Sequence, residues 1–194
     1  NLNGAVGGVT PLAFLTTGTS GATGVGASVR TSGNQTYNNP TTLASGVVLQ
    51  STAGNLSAPG AVDASAGPVS LSAAGNVVFQ NAADDFGTIA INGGANVALR
   101  DSNAIDLGAS VIGGSLSLVT GGAVTDSGAI SVAGATTINA GATNDITLDN
   151  ANDFAGNVGI VAGRNVRVND VNNLTLDLSN FGTLTATASG TVAL

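Results

Sequence analysis

Few side chains in this sequence can do chemistry: 11 acids and 4 bases in 194 residues, with no histidine and no cysteine. Glu and Lys are also absent, so every acid is an Asp and every base an Arg. That palette excludes a disulfide framework, the usual zinc and haem sites, histidine-dependent catalysis and a lysine Schiff base. Acid and base mix in two places only, Arg100 beside Asp101 and the group Arg164, Arg167 and Asp170. A polysaccharide lyase would use such a base near Asp-bound calcium, and a glycoside hydrolase would need paired carboxylates. Arg100 and Asp101 flank a strand end, where a surface ion pair accounts for both. No catalytic residue is assigned and no enzyme is expected.

The remaining acids of interest fall in two equivalent loops, Asp84 and Asp85 within 80–88 and Asp149, Asn152 and Asp153 within 149–157. Oxygen-rich loops can hold calcium, which makes Asp84, Asp85, Asp149 and Asp153 the metal candidates. The calcium-binding nonapeptide of β-roll repeats is missing, since Gly121-Gly122-Ala123-Val124-Thr125-Asp126 lacks its third glycine. The plainer reading is preferred: the acids cap turns by accepting hydrogen bonds from loop amides, while Phe86 and Phe154 plug the corners. Neither a metal nor a cofactor is expected. The Thr pairs Thr16-Thr17 and Thr136-Thr137 and the run Thr183–Thr187 are too scattered for an ice-ordering ladder. Tyr37 is the only Tyr and no Trp exists, so little is available to stack on a sugar.

The elements that must position these residues are short strands. Apolar–x–apolar units recur as Val77/Phe79, Ile89/Ile91, Val97/Leu99, Ile105/Leu107, Leu116/Leu118, Ile130/Val132, Ile146/Leu148, Val158/Ile160, Val166/Val168 and Leu174/Leu176, and these pairs form the expected core. Such alternation, bounded by Gly and Asn, marks strands with one buried face. No apolar set recurs at helical spacing. The middle residues, such as Asp106, Thr147 and Arg167, should point to water.

These strands sit in a longer repeat. Residues 76–107 and 145–176 align at an offset of 69, with Val77 on Ile146, Ile89 on Val158, Val97 on Val166 and Ile105 on Leu174. Nine strand starts in that interval suggest three turns of three strands, about 23 residues each. Val77, Ile105, Val124 and Ile146 would then share one interior stack. The fold expected is all-β, a parallel β-helix with about three short strands and 19–28 residues per turn, about eight turns and about 40 Å long. Corner Asn residues (Asn76, Asn96, Asn144, Asn165) should tolerate left-handed backbone and bond their counterparts one turn away, with Gly supplying positive φ elsewhere. A single β-helix spans 1–194, less regular over 1–45, with the internal repeat over 76–143 and 145–194.

Composition limits the partners. Net charge is -7 and charged residues are 8%, which gives no electrostatic grip on nucleic acid or an anionic membrane. No stretch reaches the 18 or so apolar residues a membrane-spanning helix needs. The chain starts at Asn1 without an initiator Met or signal segment, so it is expected to be a piece of something longer.

The phrases Asn3–Gly8, Thr31–Tyr37 and Asp149–Gly156, with the rhythm of Gly113–Asn139, resemble repeats in filamentous-haemagglutinin-like exoproteins, the giant surface adhesins of Gram-negative bacteria. The resemblance covers most of the chain and supplies no active-site motif. It implies a right-handed β-helix, export across the outer membrane, and a role as surface fibre or adhesin shaft. The function expected is therefore a non-catalytic repeat segment of an extracellular bacterial fibre or adhesin stalk. Its partners would be neighbouring repeats or like subunits stacked end to end, and a cell-surface glycan or protein. The alternative is a glycan-binding or glycan-processing module acting through loops 80–88 and 149–157.

Overall fold

The computed structural model describes residues 1–194, the side chain of Leu178 excepted. The described residues form 23 strands and no helix. The strands pair in parallel, each with its counterpart about one winding away, and the chain is a β-solenoid.

Two ladders run the length of the rod. In the first, Leu15, Gln35, Leu56, Val77, Val97, Leu116, Thr136, Val158 and Leu176 stack in register, each one winding from the next. The second is built from Val29–Thr31, Val48–Ser51, Val69–Ala73, Thr88–Ile91, Ile105–Leu107, Val124–Asp126 and then 146–148, 166–170 and 184–188. The windings number about nine, and at roughly 4.8 Å each the rod is about 40 Å long. A third, shorter stack completes most of the windings. Over Thr23–Val25, Thr41–Leu43, Val62–Ala64 and Asp85–Phe86 it lies between the first ladder and the second in chain order. Over Ser110–Ile112, Ile130–Val132 and 153–154 it lies after the second ladder, on the other flank.

Alternation in the sequence becomes alternation of burial. All twenty core residues of the apolar–x–apolar units are at most 3% exposed, while Arg167 is exposed and Asp106 and Thr147 are half-buried. Side chains from successive windings meet along the axis, and each winding leans on its two neighbours for that burial. A few inward positions are polar, Gln35 and Thr136 on the first ladder among them, and Gln35 has partners for its amide. Thr136 sits between Leu116 and Val158 with its hydroxyl buried and unpaired. A buried hydroxyl without a partner costs about 1–3 kcal/mol. Thr136→Val, nearly the same volume, should stabilise the rod by about 1 kcal/mol, read as a rise in Tm.

Several expectations are corrected. The strand Asp85–Phe86 has no apolar–x–apolar signature, and counting it gives ten strands, not nine, between Val77 and Ile146. Windings along the ladders are correspondingly shorter than the sequence suggests. Val77 consequently belongs to the first ladder, whereas Ile105, Val124 and Ile146 share the second. Leu148 and Val168 are buried core residues as expected, and Leu148 stacks on Val168, but neither closes a short strand. Leu148 lies inside the strand Ile146–Phe154 and Val168 inside Val158–Asp170, because in this half of the rod pairing continues around the corners. The register between these two strands shifts just after Leu148, where Asn152 next pairs with Asp170. Among the described residues none other than glycine has positive φ, so the corner asparagines use ordinary backbone. Over the first 45 residues, isolated bridges at Leu2, Val6 and Leu12 precede the two-residue strand Leu15–Thr16, and strands of two or three residues follow from Thr23.

Candidate functional site

The two Asp-Phe corners are where the solenoid changes flank. At each, the third stack ends and a side-chain carboxylate from the next winding takes over as hydrogen-bond acceptor. Phe86 N–H donates to Asp101 Oδ1 at 2.7 Å, and Phe154 N–H donates to Asp170 Oδ2 at 2.9 Å. The other oxygen of each carboxylate accepts from a local amide, Asn103 at 3.2 Å and Asn172 at 2.7 Å. The Asn103 and Asn172 side chains then donate to Asp85 and Asp153, at 3.1 and 2.9 Å. Phe86 and Phe154 are fully buried, and Phe79 meets Phe86 edge to face with ring centroids 5.9 Å apart.

One position earlier, Asp84 and its counterpart Asn152 cap the winding below. Asp84 accepts from Val62 N–H at 2.8 Å and from Asn81 N–H at 3.0 Å. Asn152 accepts from Ile130 N–H at 2.8 Å and donates to Asp126 at 2.8 Å. Of the metal candidates, Asp84 therefore faces inward onto amides, and Asp85 and Asp153 accept from Asn side chains. Asp149 lies 3.4 Å from Arg167 on the surface. Among the described residues no three acids converge as a cation site requires. Arg100 and Asp101 do not pair as expected. They are neighbours on one strand and so point to opposite faces: Arg100 lies outside, and Asp101 is buried at the Phe86 corner. Arg164 pairs instead with Asp145 at 2.6 Å, and Asp170 is buried.

The corner Asn expectation holds for hydrogen bonding. Asn34, Asn55, Asn76 and Asn96 form a ladder in which each side-chain oxygen accepts the amide of the next member, ending on Ser115 N–H. Asn165 continues the pattern between Asp145 and Thr183. Asn144 does not join; its side chain donates to Gly121 and Ala140 carbonyls. Tyr37 is inside the rod, its hydroxyl donating to Gln35 at 3.0 Å, so it cannot stack on a sugar. Burial pushes its phenol well above the ordinary range. A shallow groove of about 420 Å³ adjoins loop 80–88, lined by Ser57, Pro59, Val78, Gln80 and Asn81.

The buried acids set a pH dependence. Burial pushes the Asp84 carboxyl up to about 6, opposed by its two amide donors and reinforced by the charge of Asp101. Asp101 is also raised by burial, against the amides of Phe86 and Asn103. Arg164 holds the exposed Asp145 down to about 2. A carboxyl raised by folding binds its proton more tightly in the folded chain. Its stabilisation is complete below the ordinary value of 3.8 and is lost as pH rises through about 6. Asp145 contributes the opposite way, its stabilisation lost as pH falls through about 2. Stability should therefore peak near pH 4, and with solvent screening Asp84 alone lowers it by about 2 kcal/mol on going to pH 7. Asp84→Asn keeps an oxygen for Val62 N–H, as Asn152 does for Ile130. In thermal melts it should flatten much of the slope between pH 4 and 7, and an unchanged slope would rule out Asp84 as its source.

Residues 94–161 match a family described as repeats of unknown function (DUF5649), a span close to one block of the internal repeat. No curated protein and no solved structure matches the chain.

Proposed function

We propose that this chain is a structural repeat segment of an extracellular bacterial fibre or adhesin stalk, with length and stiffness as its work. The observation that carries the reading is the pair of ladders running unbroken through the rod, whose terminal edges are of the kind that further windings pair with. The polar side chains that the sequence singled out are spent on holding windings together. Asp84, Asp101, Asp126, Asn152 and Asp170 all accept or exchange hydrogen bonds inside the solenoid. The scarcity of reactive side chains suits a shaft exposed outside the cell.

Antibodies raised against the folded rod test this reading on the bacterium that makes it. Labelling of intact cells, removed by brief external protease, is the expected result. Labelling only after permeabilisation would overturn it. The alternative, a glycan-binding module, is supported by the groove beside loop 80–88. On a glycan array it predicts binding that Asn81→Trp, which fills the groove, abolishes. The stalk reading predicts no such dependence on Asn81.

A further inference from the structure

The two copies of the repeat share a hydrogen-bond network as well as strands. Asn96 N–H donates to Asn76 as Asn165 N–H donates to Asp145, and Ser115 Oγ donates to Asn96 as Thr183 Oγ1 donates to Asn165. The Asp101–Phe86 and Asp170–Phe154 corners repeat in the same way. Yet the copies do not lie on the same side of the rod. Val77 is on the first ladder and its equivalent Ile146 on the second; Ile89 is on the second and its equivalent Val158 on the first. The third stack changes flank to match. From Val77, three windings reach Thr136 and four reach Val158, so the repeat offset, which carries Val77 to Ile146, ends midway. One block is three and a half windings, and the two ladders exchange places from block to block.

We infer that the repeat block is a docking unit, and that the open edge Leu184–Ala188 takes a further copy of the same block turned by half a turn. Leu184 is the equivalent of Leu116, as Thr183 is of Ser115. Inside the rod, the edge of Leu116–Thr120 is filled by Thr136–Asn139, with Leu116 on Thr136 and Leu118 on Ile138. The edge at Leu184–Ala188 presents the same inward alternation. Leu184, Ala186 and Ala188 pack against the core and are only partly buried. It carries no charge and no proline to discourage pairing. The occupant is thus identified by continuity with an interface already present in the chain: a strand of the Thr136–Asn139 kind from a following block. An array of such blocks is a two-fold screw, rising about 17 Å per block and presenting its Asp-Phe corners on alternate flanks, each flank repeating after about 34 Å.

This inference deepens the stalk reading, but its test does not depend on where the protein resides. Leu194 is the equivalent of Asp126, so a second copy of residues 127–160 is joined after Leu194. Amide exchange at Leu184 and Ala186 should slow by about tenfold or more. A control extension lacking one residue just before the copied Thr136 turns that strand inside out and should leave exchange unchanged. Protected amides at Val97 and Leu99 report that the parent rod is folded in both chains. Unchanged exchange in the in-register chain, or equal protection by the control, would overturn the docking. Helical reconstruction of a chain of several tandem blocks tests the screw. A half-turn and about 17 Å per block are expected; three windings with no rotation would overturn it.

Discussion

Val97→Asp should unfold several windings together. Val97 stacks between Val77 and Leu116, fully inside the first ladder. The substitution forfeits about 1.5–3 kcal/mol of aliphatic burial. It also places a carboxylate where no donor waits, at a further cost of several kcal/mol. A loss above about 4 kcal/mol is comparable with the whole stability of many domains. In a solenoid the damage spreads to the windings on either side, because they are its only packing partners. Ala98→Asp, one residue along and pointing outward like Asp106, is the control and should be nearly neutral. Thermal melts by circular dichroism decide the matter; Val97→Asp melting like its parent would contradict the core.

The second large effect is steric. Gly114 sits at a corner directly over the winding below, and a β-carbon there would land on the carbonyl oxygen of Ala95. That neighbourhood cannot shift freely. Gly113 N–H donates to Gly94 at 2.9 Å, and Gly134 N–H donates to Gly114 at 2.8 Å, so windings on both sides hold the backbone. Gly134 and Gly156 continue the column, each with the backbone of the winding before it inside the space a β-carbon would need. Gly114→Ala should cost about 2–4 kcal/mol. Gly18→Ala, where a β-carbon meets nothing within 4 Å, should be neutral or slightly stabilising. Equal effects at the two positions would refute close stacking as the reason for the glycine.

The same contrast separates what is legible in the sequence from what is not. Apolar alternation is a local signal, and every strand that it marks has its inward residues buried. Asp85–Phe86 is two residues long with a single inward side chain, so it has no alternation to detect. Without it, three and a half windings read as three, and Val77 falls on the wrong ladder. Alternation also says little about where a strand stops: the pairing that carries on past Leu148 and Val168 depends on the neighbouring winding. The roles of Asp101 and Asp170 are hidden for a related reason. An Asp beside an Arg reads as a surface pair until the winding before it is seen to end on an amide that needs an acceptor. Asn76 and Asn96 are legible because their spacing is close to one winding. The glycines mostly answer to contacts between windings, which no single stretch of chain contains; positive φ occurs at only a few, among them Gly46 and Gly141.

The winding itself can be measured with pairs of spin labels, which the cysteine-free chain accepts without background. Val78, Thr137 and Thr147 all lie outside the core, the first two on the first ladder and Thr147 on the second. Labels at Val78→Cys and Thr137→Cys are three windings apart on one side, about 14 Å along the axis. Labels at Val78→Cys and Thr147→Cys should be farther apart, because that line also crosses the rod. The predicted result is the shorter distance for the 78–137 pair. A shorter distance for the 78–147 pair would place equivalent residues of the two blocks on one side and contradict the half-turn winding.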